Sequence, residues 1–168
     1  FASQLSVSDQ QFNDQMTAFI DQQSDGLATF NPATLNQTNK GDFAIIDNQL
    51  RSMAWYQDTF KSHQWDPSDY NVAGPIGLIL NTDYAPLADR LAQINDRLAR
   101  VPAYYDAALS NLQTPTLPHT EIAVQQNEGA LNLLKGRLAT LIENTELSKE
   151  LRSELISNNK KAQIAVQN

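Results

Sequence analysis

Leu87-Ala-Asp-Arg-Leu91-Ala-Gln-Ile94-Asn-Asp-Arg-Leu98-Ala-Arg-Val101-Pro-Ala-Tyr-Tyr105-Asp-Ala-Ala108-Leu-Ser-Asn-Leu112 is the stretch that decides the fold. Its apolar positions follow one another at spacings of four and three, which places them on one side of an α-helix. Pro102 interrupts this ladder without resetting its phase. A proline there removes a helical hydrogen bond, so the sequence predicts a kink or a break at Pro102. Two helices meeting at an angle and one bent helix both satisfy the pattern.

The reading extends outward in both directions. Downstream, Thr114 to Pro118 makes a turn, and a helix is expected from about Pro118 to Asn144. Ala123, Ala130, Leu134, Leu138 and Leu141 face one way along it, widened by Leu131 and Ile142. Gly129 and Gly136, seven apart, suggest the close approach of another helix. Ser148 then caps a last helix with a buried edge of Leu151, Leu155 and Ile156, extended by Ile164. Upstream, a first helix is expected from Ser8 to Asp25, ended by Gly26, with Phe12, Met16, Phe19 and Ile20 buried. A second helix follows from about Asp42, as cap, to Gln64. Its buried side is Phe43, Ile46, Leu50, Met53 and Ala54, continued by Phe60. Between Trp65 and Thr82 a helical turn is expected around Ile76 to Leu80, and Pro86 fits a first helical turn near Asp83. The predicted fold is all-α: an antiparallel bundle of about five or six helices in one domain over residues 1–168.

Composition narrows the function classes. The 168 residues carry a formal charge of −7, and the basic residues are scattered, so neither a nucleic-acid surface nor a polybasic membrane patch is expected. There is no cysteine, which excludes disulfides, thiolate nucleophiles and Cys-zinc sites. The longest apolar run, Ile76 to Leu80, is far too short to span a bilayer. Asn and Gln are frequent where helix surfaces usually carry Lys and Glu. This composition leans towards a protein of the bacterial envelope or periplasm, such as a lipoprotein, with its export signal lying upstream.

No catalytic motif is complete. His63 and His119 are the two histidines, and neither has a second histidine four residues on, so the chain alone offers no metal site. His119 and Glu121 are two apart and point in different directions from a regular helix. No G-x-S-x-G elbow and no phosphate loop is present, and no pair of acidic residues stands out.

The segment Asp83-Tyr-Ala-Pro-Leu-Ala-Asp-Arg-Leu-Ala-Gln-Ile-Asn-Asp-Arg-Leu-Ala-Arg-Val-Pro102 resembles the DUF885 family of bacterial proteins, in which a similar proline-bounded ladder occurs. Asn111-Leu112, the segment Thr116 to Gly129 with its His-Thr-Glu core, and Trp65-Asp-Pro-Ser-Asp-Tyr70 fall in the family's order. The resemblance covers roughly Phe43 to Gln167. It implies a non-catalytic N-terminal helical portion of a larger protein. That protein would be a zinc-dependent peptidase whose H-E-x-x-H helix lies outside this chain. It also implies that this portion shapes a substrate channel, with the remainder of the parent polypeptide and a peptide substrate as partners. The polar run from His119 to Glu128 then nominates His119, Thr120, Glu121 and Gln125 as residues facing a cleft. No catalytic residue, metal ligand or cofactor is assigned to this chain. The alternative is a free-standing envelope helical bundle that binds a protein or peptide.

Overall fold

The structure, a computed structural model, describes residues 5–168. It is all-α, and no strand occurs among the described residues. The chain divides into two compact units, one of residues 8–62 and one of residues 5–7 with 63–168.

The smaller unit is a helical hairpin of α1 (Gln10–Ala28) and α2 (Gln37–Trp55). Both starts are set by side chains that accept an otherwise orphaned backbone N–H. Asp9 Oδ1 accepts from Phe12 at 2.8 Å, and Asn36 Oδ1 accepts from Asn39 at 2.8 Å. The caps are therefore Asp9 and Asn36, not Ser8 and Asp42. Gly26 does not end α1, and Gly41 lies inside α2, because neither glycine adopts a positive φ. The left-handed residue that ends α2 is Lys61 (φ 49°), whose N–H returns to Tyr56 O at 2.9 Å across a π turn, Tyr56–Phe60. Ile20 and Leu50 are the buried residues of these two helices. Phe19, Ile46 and Phe60, expected inside, are substantially exposed.

The larger unit holds α3 (Ala73–Asn81), α4 (Leu87–Leu98), α5 (Val101–Asn111), α6 (Leu117–Asn132), α7 (Ala139–Asn144) and α8 (Lys149–Gln167). The ladder behaves as its spacing predicts: Leu91, Ile94, Leu98, Val101 and Ala108 are buried, and Leu87 and Tyr105 pack against the same core. The helix breaks at Ala99–Arg100, and Pro102 sits in the first turn of α5, where its missing N–H has no helical partner to lose. A π turn, Leu133–Leu138, joins α6 to α7, so the run from Leu117 to Asn144 is one bent helix. Asn159 on α8 donates to the Leu134 carbonyl in that turn at 3.0 Å. α8 lies along α4 and α5 and also touches α6 and α7, burying Leu155, Asn159 and Ala162. Ser148 caps α8 as predicted, its Oγ accepting from Leu151 at 3.2 Å, whereas Ile156 points out and is exposed.

Arginines close the helix ends of this unit. Arg90 is buried and donates to the carbonyls of Ile79, Leu80 and Thr82 at 3.2–3.3 Å and to Ala85 O at 2.9 Å. These include carbonyls at the C-terminal end of α3 that have no helical donor. Arg152 does the same at the end of α7, reaching the carbonyls of Ile142, Glu143 and Thr145.

No described helix meets either glycine of the bent helix closely. A Cβ at Gly129 or Gly136 would have nothing within 4 Å, so the expected close helix approach does not occur among the described residues. Gly129→Ala is therefore expected to stabilise the chain by about 0.5–1 kcal/mol through helix propensity alone. A lower urea midpoint for the variant would show that something else occupies the space.

Candidate functional site

The turn before α6 is anchored to the segment before α3. Gln113 and Thr114 donate backbone N–H groups to Gln64 O at 2.8 and 3.1 Å, and Thr116 donates to Trp65 O at 3.1 Å. This pairing brings His119 beside Asp66, 53 positions earlier in the chain. His119 Nε2 lies 3.6 Å from Asp66 Oδ2, its Nδ1 lies 2.6 Å from Thr116 Oγ1, and its ring meets Trp65 edge-on at 5.3 Å. His119 thus fastens the start of α6 to the preceding loops. Thr120 Oγ1 donates to Thr116 O at 2.9 Å and faces a groove of about 410 Å³. Glu121 and Gln125 are exposed and do not line that groove. The four residues nominated by the sequence therefore separate: His119 and Thr120 join the helix start, while Glu121 and Gln125 share an outer face.

The groove beside Thr120 continues between α5, α6 and the last turns of α8. Ala123, Asn127 and Val166 are shared with a neighbouring space of about 160 Å³. Tyr105, Leu109 and Ala165 are shared onward with one of about 380 Å³. The result is a shallow crevice of mixed lining, with a polar floor.

That floor is a tyrosine–asparagine network that the sequence did not nominate. Tyr105 Oη donates to Asn127 Oδ1 at 2.5 Å. Asn127 Nδ2 donates to Ala123 O at 3.0 Å and Tyr70 O at 3.4 Å. Asn111 donates to Tyr70 Oη at 3.1 Å, which itself donates to His63 O at 2.9 Å. The amide of Asn127 is thereby spent on internal bonds. Burial pushes Tyr104 up to about 12 and raises Tyr70 and Tyr105 as well. None of these phenols can act as a base near neutral pH. The ionisable side chains that line the crevice are Glu128 at one end and Asp106 and Lys161 at the other.

The raised tyrosines have a consequence for stability. An unfolded tyrosine titrates at about 10, so the folded state holds its proton more tightly. The stability this confers is complete below about pH 10 and is lost as pH rises through about 12. Urea midpoints are expected to fall steeply between about pH 10 and pH 12, and less steeply for Tyr104→Phe with Tyr105→Phe. An equally steep fall in the double variant would place the alkaline sensitivity elsewhere.

A zinc site needs three or four converging ligands. Among the described residues no group of three or more His, Cys, Asp or Glu side chains could hold a metal ion. His119 and Asp66 come together without a third ligand, so these residues do not fit zinc, and no step through a metal can be drawn on them. Nor is any described helix long and apolar enough to cross a membrane.

Fold and crevice together define an all-α helical protein. The chain belongs to the DUF885 family, described as "Bacterial protein of unknown function", which it matches over residues 2–168. It is also similar to a solved structure from Shewanella oneidensis, described as "a putative lipoprotein of unknown function". The two share 38% identity with a TM-score of 0.94. The match covers 99% of this chain and 30% of the Shewanella chain, so this chain spans under a third of that protein's length. No curated protein matches it.

Proposed function

We propose that this chain is a non-catalytic helical portion of a larger envelope protein that hydrolyses peptides with zinc, and that its crevice forms part of the wall of a substrate channel. The observation that supports the reading as a portion of a larger protein is the near-complete match to less than a third of a longer relative, while the zinc peptidase and the channel rest on the family resemblance of the sequence alone. A portion of this size can shape access while ligands and general base come from the rest of the polypeptide. The crevice supports the same division in part, since the Asn127 amide and the Tyr70 and Tyr105 hydroxyls within it are already partnered. The envelope placement draws on the lipoprotein description of the relative and on the Asn- and Gln-rich composition. Glu121 and Gln125, exposed on a face of α6 that does not line the crevice, are proposed as a separate contact with the backbone of a bound peptide, with His119 and Thr120 fixing the start of that helix.

The test is peptide hydrolysis by the full-length protein. Activity is expected to fall at least about 100-fold on chelation and to return with added zinc. Glu121→Gln is expected to raise KM with an unchanged melting temperature. Activity indifferent to chelation would remove the zinc. Equal losses of activity and stability for Glu121→Gln would remove the peptide contact.

A further inference from the structure

Two helices cannot bury a wide apolar face between themselves, and the hairpin of α1 and α2 leaves one uncovered. A trough of about 640 Å³ runs between them, lined from α1 and its end by Phe19, Gly26 and Phe30 and from α2 by Ile45, Ile46 and Met53. Phe19, Phe30, Ile45 and Ile46 are 49, 57, 68 and 48% exposed. The lining recurs at steps of three and four along both helices, the spacing of two helix faces turned to one trough, and an amphipathic helix is the element that fits such a groove.

Gly26 forms an open part of the trough. It lies inside α1 and lines the trough, glycine is unfavourable within a helix, and its φ is not positive. A Cβ on it would meet nothing within 4 Å, so no described neighbour requires the glycine. The space above Gly26 is therefore open to a helix backbone entering the trough.

We infer that a helix from the part of the full-length polypeptide outside residues 1–168 lies in this trough, its apolar side on Phe19, Phe30, Ile45 and Ile46 and its backbone close to Gly26. This rests on the reading of the chain as a portion of a longer protein. Two observations select this occupant. The Shewanella relative carries more than twice as much additional chain as the part matched here. A second copy is disfavoured because the hairpin bears seven aspartates against three basic residues, so pairing two hairpins would oppose like charges. The trough residues themselves are uncharged, which favours an apolar helix over a charged peptide or headgroup.

The experiment places a benzophenone amino acid at Ile45, or separately at Phe30, in the full-length protein. Both positions are exposed, so the probe itself should be tolerated. After irradiation, mass spectrometry locates the crosslinked peptide. The expected product has monomer mass and joins the hairpin to a segment outside residues 1–168. Gly26→Trp should lower its yield about tenfold by filling the floor. A crosslink within residues 1–168, to a second copy or to another protein overturns the proposal, as does no protein crosslink at all. The readout is independent of hydrolysis. An inactive protein that gives the crosslink fails the peptidase reading alone, and a zinc-dependent peptidase that gives none fails this inference alone.

Discussion

Arg90→Met is expected to lower the unfolding free energy by about 3 kcal/mol, because it strips donors from several carbonyls at once while keeping most of the side-chain volume. The carbonyls of Ile79, Leu80, Thr82 and Ala85 all converge on this guanidinium. Those near the buried end of α3 have no water to replace it, and each unsatisfied group costs about 1–3 kcal/mol. The ion pair with Asp83, at 2.8 Å, contributes much less, since the Asp83 side chain is 90% exposed and its charge is well solvated. Asp83→Asn should therefore shift stability by under about 0.5 kcal/mol. Urea unfolding of both variants separates the two contributions. If Asp83→Asn costs as much as Arg90→Met, the ion pair and not the carbonyl clamp holds the helix end.

Leu98→Ala is expected to cost about 3–4 kcal/mol, the range for a fully buried leucine whose surroundings cannot collapse. Leu98 has no exposed surface, and it packs in the core that also contains Leu91, Ile94, Val101, Leu134 and Leu155. It also stands one residue before the break between α4 and α5, so a cavity there removes contacts from both helices. Leu98→Met, which conserves volume, should cost less than about 1.5 kcal/mol. A Leu98→Ala loss below about 1 kcal/mol would mean that the junction relaxes to fill the space.

The ladder was legible because burial and helix period coincide there: residues four and three apart meet the same core, and a proline's missing donor forces the break. The two π turns were not. Leu133 to Leu138 keeps ordinary helical spacing in sequence, and its Leu134 carbonyl takes a donor from Asn159, a contact that no local pattern announces. Gly26 misled for a related reason. Glycine ends helices by adopting a left-handed conformation, and here Lys61 takes that conformation instead. The smaller unit was the least readable, since its helices carry apolar residues on faces that no described helix covers. Among the candidate site residues, the polar run on α6 was visible, but the role of His119 depends on Asp66, which reaches it through loop pairing between distant segments. Asn127 lay inside that run without distinction, and its partner Tyr105 read simply as a ladder position.

The placement of α8 also imposes an order on assembly. Asn95 donates to Glu154 at 3.0 Å and accepts from Asn158 at 2.9 Å, joining α4 to a helix made about sixty residues later. At about 5–20 residues per second, a ribosome takes roughly 3–12 s to make that intervening stretch. Throughout that interval the core face of α4 waits without the helix that covers it. The nascent chain is then most open to chaperone capture and to aggregation, and closure comes only as the last described turns emerge.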